Sequence, residues 1–241
     1  MARKIVLTSG KGGVGKTTCC ALLGLGLARL GARVVMMDVD IGLNNLDVVA
    51  GLDTRVMYDI VDVAEGKCRI RQALVSHPQA PLLYIMPSSH SLNVGKVSVE
   101  DMRRITDELS RSFDYILIDC PAGIGKEFYR AIYMASEAIL ITTPNITAIR
   151  DANKVASLVI GCGISDISLI VNRVRTDMIA KRLMIKPQDI AASLDIKLLG
   201  VVPEADSIAA AACQTGSVLG AKDNVNLFLD IARSIHLGAA E

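Results

Sequence analysis

Seven short runs of continuous apolar residues recur along the chain: KIVLTS, RVVMMD, LLYIMP, DYILID, AILITT, ISLIVN and KLLGVV. Unbroken rather than alternating hydrophobicity is expected of strands covered on both faces of a parallel sheet. Segments with helical spacing fill the gaps. The first, TTCCALLGLGLARLG, closes on Arg29 and Gly31, a basic last turn followed by a glycine stop. Ser98-Val99-Glu100-Asp101 reads as a near capping box with Asp in place of Glu. Pro187 opens a short helix where its missing N–H costs nothing. No linker, repeat or low-complexity tract interrupts the alternation. The pattern predicts an α/β fold, a doubly wound, mostly parallel sheet with helices on both faces, in a single domain over residues 1–241. Ligands in that architecture bind at the carboxyl ends of the strands.

Composition agrees and narrows the partners. With 51% hydrophobic residues in 241, a large core is affordable and disorder is excluded. A net charge of +1 exerts no global pull toward nucleic acid or an acidic membrane, so either would need a local patch. The six cysteines, Cys19, Cys20, Cys68, Cys120, Cys162 and Cys213, form no C-x-x-C pair and read as reduced thiols of a cytosolic protein. MARKIVLTS enters a strand-like run at once, which leaves no room for a signal peptide, and no apolar run reaches the ~20 residues of a membrane span.

The chemistry concentrates in GKGGVGKTT, residues 10–18. Gly10 to Thr17 fit G-x-x-x-x-G-K-[ST] between a predicted strand and a predicted helix, the context that distinguishes a phosphate-binding loop from a chance glycine turn. Backbone N–H groups of Gly12, Gly13, Val14, Gly15 and Thr18 would close on phosphate oxygens, Lys16 would reach the β- and γ-phosphates, and the Thr17 hydroxyl would ligate Mg²⁺. The loop holds a second lysine, Lys11, which this scheme leaves without a task.

Magnesium needs a further anchor at a strand end, and two strands offer one. DYILID ends in Asp119. VVMMD ends in Asp38, followed by Asp40. The bland alternative for Asp38 and Asp40 is a pair of solvated loop carboxylates, whereas a carboxylate after YILI would be left unpaired unless a cation met it.

KGGVGKTT, DVDIGLNNLD, LIDCPAGI, TTPNITAIRDANK, VNRVR and LLGVVPE together resemble the MinD family within the ParA/MinD group of deviant P-loop ATPases, from about Lys4 to about Leu237. The resemblance implies ATP and Mg²⁺ as cofactors, slow ATP hydrolysis, and a homodimer formed with ATP that recruits MinC-like and MinE-like regulators to position the division site. It also assigns Lys11: a signature lysine that reaches across the dimer to the partner's nucleotide. By the same likeness Asp40 orients the attacking water, Asp38 and Asp119 hold Mg²⁺ directly or through its shell, Asn172 reads adenine with Arg173 and Pro203 at its border, and Arg150 and Asp151 meet partner proteins. Read without the resemblance, Asn172 caps the following segment, and Arg150-Asp151 is an amphipathic helix start.

Two features leave alternatives open. NRVRTDMIAKRLMIK is locally basic, which would suit a ParA-type ATPase for DNA partition or flagellar placement. The missing C-x-x-C argues against an iron–sulfur scaffold. The chain also departs from the family at its end: NVNLFLDIARSIHL carries Phe228, Ile231, Ala232 and Ile235 on one face but Arg233 as its sole Lys or Arg. That is the pattern of a helix closing a core, and it predicts a cytoplasmic protein with weak direct membrane attachment, peripheral at most.

Overall fold

The computed structural model describes residues 1–40, 45–89, 97–215, 217–220 and 222–238. Residues 41–44 of the DVDIGLNNLD block, the Cys213 side chain and residues 239–241 lie outside the description. The strands are β1 (Arg3–Thr8), β2 (Val34–Asp38), β3 (Val75–His77), β4 (Ala80–Met86), β5 (Tyr115–Asp119), β6 (Glu137–Thr142), β7 (Asp166–Val174) and β8 (Lys197–Pro203). They form one eight-stranded sheet in the order β3-β4-β2-β5-β1-β6-β7-β8. Every pairing is parallel except that of β3 with β4. The seven apolar runs are seven of these strands. The eighth, β3, was not predicted: Val-Ser-His is three residues long, too short for any period to show, and pairs as an antiparallel edge with a register shift between Ser76 and His77.

The helices are α1 (Lys16–Arg29), α2 (Leu46–Ala50), α3 (Ile60–Ala64), α4 (Ile70–Ala73), α5 (Val99–Leu109), α6 (Lys126–Tyr133), α7 (Ile146–Gly161), α8 (Thr176–Ala180), α9 (Pro187–Leu194), α10 (Asp206–Thr215) and α11 (Lys222–Leu237). Adjacent residues of each strand serve opposite faces, as the pleat requires. Val6, Val35, Ile116 and Leu140 pack under α3, α5, α6, α7 and α9, while Ile5, Met36, Leu117 and Ile139 pack under α1 and α11. Both faces are therefore cores, which is why the strands read as continuous apolar runs.

Local signals act as expected at the helix ends. The Ser98 hydroxyl accepts the Asp101 N–H at 3.0 Å and the Asp101 carboxylate accepts the Ser98 N–H at 3.2 Å, so Asp completes the box that Glu usually closes. Pro187 occupies the first turn of α9. Two glycines in α1 serve packing. A Cβ on Gly24 would lie 2.5 Å from the Met36 Sδ of β2, and one on Gly26 would lie 3.1 Å from the Ala232 Cβ of α11. The predicted apolar face of the last helix, Phe228, Ile231, Ala232 and Ile235, is buried in that crossing. No helix among the described residues is long and apolar enough to cross a membrane.

Gly26→Val adds side-chain volume at this crossing and is expected to cost about 1–3 kcal/mol through overpacking, read as a lower urea midpoint. Thiol chemistry tests the same core. Burial pushes the Cys19 and Cys120 thiols up to about 12 and raises Cys20 as well. At pH 8 an alkylating reagent should modify the partly exposed Cys162 and Cys68 and spare those three until the chain is unfolded. Peptide mapping of the labelled protein reads this directly.

Candidate active site

The carboxyl ends of β1, β2 and β5 converge because the three strands are neighbours in parallel register, Leu7 beside Asp119 and Asp119 beside Asp38. From β1 the chain turns through Ser9 to Gly15 and enters α1 at Lys16. Gly13 (φ 78°) and Gly15 (φ 90°) take left-handed backbone that a side chain would oppose. Gly10 is needed for a different reason: a Cβ there would collide with the Asp151 backbone at the start of α7.

Lys16 bends back under the loop, and its Nζ donates to the Asp119 Oδ1 at 3.0 Å with both side chains largely buried. Burial disfavours its charge, but the Asp119 carboxylate outweighs burial, and the lysine pKa lies above its ordinary value. Asp38, 1% exposed, accepts three backbone N–H groups: Asp40 on Oδ1 at 2.9 Å, Asn45 and Leu46 on Oδ2 at 3.0 and 3.1 Å. Burial, and then the charge of Asp119, raise its pKa all the same. Asp40 is half-exposed beside them; burial lifts its pKa while Lys16 pulls it down and Asp119 and Glu127 lift it further. Three carboxylates thus share one lysine at the sheet edge.

That imbalance bears on a metal. Among the described residues no set of three or more His, Cys, Asp or Glu forms a metal cage. What the edge offers is Asp38 and Asp119 with the Thr17 hydroxyl in the first turn of α1. This hard-oxygen donor set is too small to bind a cation alone and suits Mg²⁺, which keeps water and substrate phosphates in its shell. The donors fit the ion.

Beside the loop, on the β7–β8 side, lies a cavity of 290 Å³ whose walls include Gly15, Thr18, Asn172, Arg173, Pro203 and Glu204. It adjoins the phosphate loop and is of a size to receive a base. Asn172 is turned away from a simple reading role here. Its Nδ2 donates to the Val14 carbonyl at 2.8 Å and its Oδ1 accepts the Arg173 N–H at 2.9 Å. β7 runs on past it to Val174, and Arg173 takes a left-handed conformation (φ 58°), a strained state for a residue with a Cβ. Sequence reasoning missed Asp206 and Phe228, which also line the cavity; they belong to α10 and α11, and nothing local marks them.

Lys11 is exposed at the crest of the loop, and its pairing partner, if any, lies outside this chain's described ion pairs. Arg150 is exposed on α7, and Asp151 is paired with Lys154 at 3.8 Å while its backbone abuts Gly10. The predicted partner segment and the phosphate loop are therefore in direct contact.

A family profile described as an AAA domain matches residues 2–161. The septum site-determining protein MinD of Synechocystis sp. is 45% identical over 208 residues, 86% of this chain and 78% of that protein. The chain belongs to the MinD family. Among solved structures, the MinC:MinD cell division protein complex of Aquifex aeolicus superposes with a TM-score of 0.89 at 34% identity, covering 98% of this chain and 96% of that one. MinD of Pyrococcus horikoshii, solved with Mg-ADP, gives 0.88 at 30% identity over 99% and 98% of the two chains. These likenesses span both the sheet and the terminal helices, and they favour the MinD reading over the DNA-partition or flagellar one.

Asn172→Ala removes the brace on Val14 and leaves its carbonyl without a partner. The loss should be about 1–3 kcal/mol of stability, with weaker ADP binding in calorimetry, whereas an Asn172 that only faced the base would change affinity alone.

Proposed function

We propose that this chain is an ATPase that dimerises with ATP, recruits MinC-like and MinE-like partners as a dimer, positions the division site, and resets on hydrolysis. The observation that carries the reading is the Lys16–Asp119 pair at 3.0 Å beneath a left-handed glycine loop, with Asp38 and Asp40 beside it and a base-sized cavity alongside. In this reading the loop amides and Lys16 hold the phosphates, and Lys16 exchanges its contact with Asp119 for the β- and γ-phosphate oxygens. Mg²⁺, when bound by Thr17 with Asp38 or Asp119, supplies positive charge against the phosphates. Arg173 and Pro203 border the base, and Asn172 fixes the loop that faces it.

In this reading Asp40 orients the attacking water. It is half-exposed, unlike Asp38, and burial raises its pKa, which strengthens it as a proton acceptor. Lys11, exposed at the loop crest, would meet the nucleotide of a second copy, so that charge stabilisation in the transition state depends on assembly. This makes hydrolysis slow in the monomer and faster in the dimer or with a partner. Contact between Gly10 and Asp151 gives the nucleotide loop a direct route to Arg150, so a partner bound there would sense the nucleotide state. Attachment to a membrane is peripheral in this reading and needs more than the single arginine of the last helix.

Three variants separate the steps. Lys16→Ala should lose nucleotide binding and therefore dimerisation. Asp40→Ala should keep ATP, lose at least about 100-fold in hydrolysis, and accumulate as a dimer. Lys11→Ala should bind ATP and stay monomeric. Size-exclusion chromatography with light scattering in ATP·Mg²⁺, alongside phosphate release, checks all three; a wild-type dimer from Lys16→Ala, or identical behaviour of the other two, would overturn these roles.

A further inference from the structure

The opposite end of the sheet carries a second concave site. Arg33 immediately precedes β2, and residues 111–113 lie one residue before β5, so this site lies at the amino ends of the strands that carry Asp38 and Asp119 at their other ends. It is a groove of 540 Å³ between α4, the end of α5 and the β3–β4 edge, within the range of small-molecule sites. Arg33, Arg71 and Arg111 line it, and Glu108 is the one carboxylate among its described walls. None of the three arginines makes an ion pair among the described residues. The nearby Asp114 carboxylate is engaged by the Arg33 backbone N–H at 2.7 Å and does not line the groove.

The floor is apolar. The Arg33 guanidinium lies 5.5 Å over the Phe113 ring, which meets the Tyr84 ring edge-on at 5.3 Å, and Leu74 completes that surface. Arg33 is thereby held over the floor while its outer N–H groups remain available. A second groove of 460 Å³ continues past Arg71 and Glu108 to Arg69 and to Arg104, the latter paired with Asp101 at 3.7 Å. Three guanidiniums against one carboxylate leave two positive charges over an apolar surface. Guanidinium presents a planar fork that matches phosphate and carboxylate oxygens, but a single carboxylate brings one negative charge, whereas a phosphate monoester brings about two at neutral pH.

We propose that this groove binds a small phosphate monoester with a flat apolar body, the phosphate on Arg33, Arg71 and Arg111 and the body on Leu74 and Tyr84. The site is separate from the glycine loop and its ligand is a different molecule from the hydrolysed nucleotide. An acidic peptide is the less favoured occupant, because its charges are single and spread along a chain.

Phenyl phosphate is the probe, titrated calorimetrically into the full chain after its nucleotide site has been saturated with ADP·Mg²⁺. One molecule should bind per chain, at least tenfold tighter than inorganic phosphate, which lacks the body, and than benzoate, which lacks the second charge. Arg71→Ala/Arg111→Ala should weaken it at least tenfold with ADP affinity unchanged; both side chains are exposed, so the core is undisturbed. Arg71→Lys/Arg111→Lys should recover part of the loss. Lys16→Ala should bind phenyl phosphate normally, which separates this site from the loop whether or not ADP binds there. Equal affinity in the double-alanine variant, no saturable binding, or a preference for a Glu-Leu repeat peptide or phosphatidylglycerol vesicles would overturn the proposal.

Discussion

Buried like charge at the carboxyl edge of a parallel sheet is the constraint around which this molecule is arranged. Asp38 and Asp119 end neighbouring strands in register, so the backbone pairing that builds the core also forces two carboxylates together in a region poor in water. Each would be costly alone. Three backbone N–H groups answer Asp38 and the Lys16 ammonium answers Asp119. The compensation is partial, since the Asp38 pKa remains raised. Carboxylate charge that is only partly answered favours a cation at this edge, and a divalent ion such as Mg²⁺ would supply it.

The glycine loop is braced on both flanks. Asn172 of β7 holds the Val14 carbonyl, and the α7 backbone presses on Gly10 so closely that no side chain could stand there. A loop of glycines alone would be entropically expensive to order around a ligand. Here neighbouring elements hold it, and each neighbour leads elsewhere: β7 to the cavity lined by Arg173, α7 to the exposed surface through Arg150.

The two ends of the sheet divide the work of charge. The carboxyl end gathers Asp38, Asp40 and Asp119 around Lys16, while the groove at the amino end sets Arg33, Arg71 and Arg111 against Glu108 among its described walls. Neither imbalance is visible in a net charge of +1, which averages over both. The last helix spans both ends, with Phe228 in the wall of the cavity beside the glycine loop and the Ile235 carbonyl accepting from Arg3 at the start of β1. Its apolar face is taken up by Gly26 of α1 and by Gly200 of β8, against which Ile231 packs, so this face closes the core.

Fold class and seven of the eight strands, the helix starts at Ser98 and Pro187, and the phosphate loop could all be read from order along the chain, because each rests on interactions among residues a few positions apart: pleat and helix periods, capping reciprocity, glycine conformational freedom. The chemical types at the strand ends were equally plain, since an acid after four buried apolar residues has few uses. What no local pattern carried was adjacency. Asp38 and Asp119 are 81 positions apart and Val14 and Asn172 are 158 apart, and their pairing follows only from the strand order β2-β5-β1-β6-β7. The three-residue β3 exists because β4 offers it an edge, and the arginine groove exists because Arg33, Arg71 and Arg111 come from three segments that share no spacing. Local sequence specifies conformations at a cost of one or two residues' entropy each, whereas a site made of distant residues is created by the packing that closes the loops between them, and only the folded chain decides which residues meet.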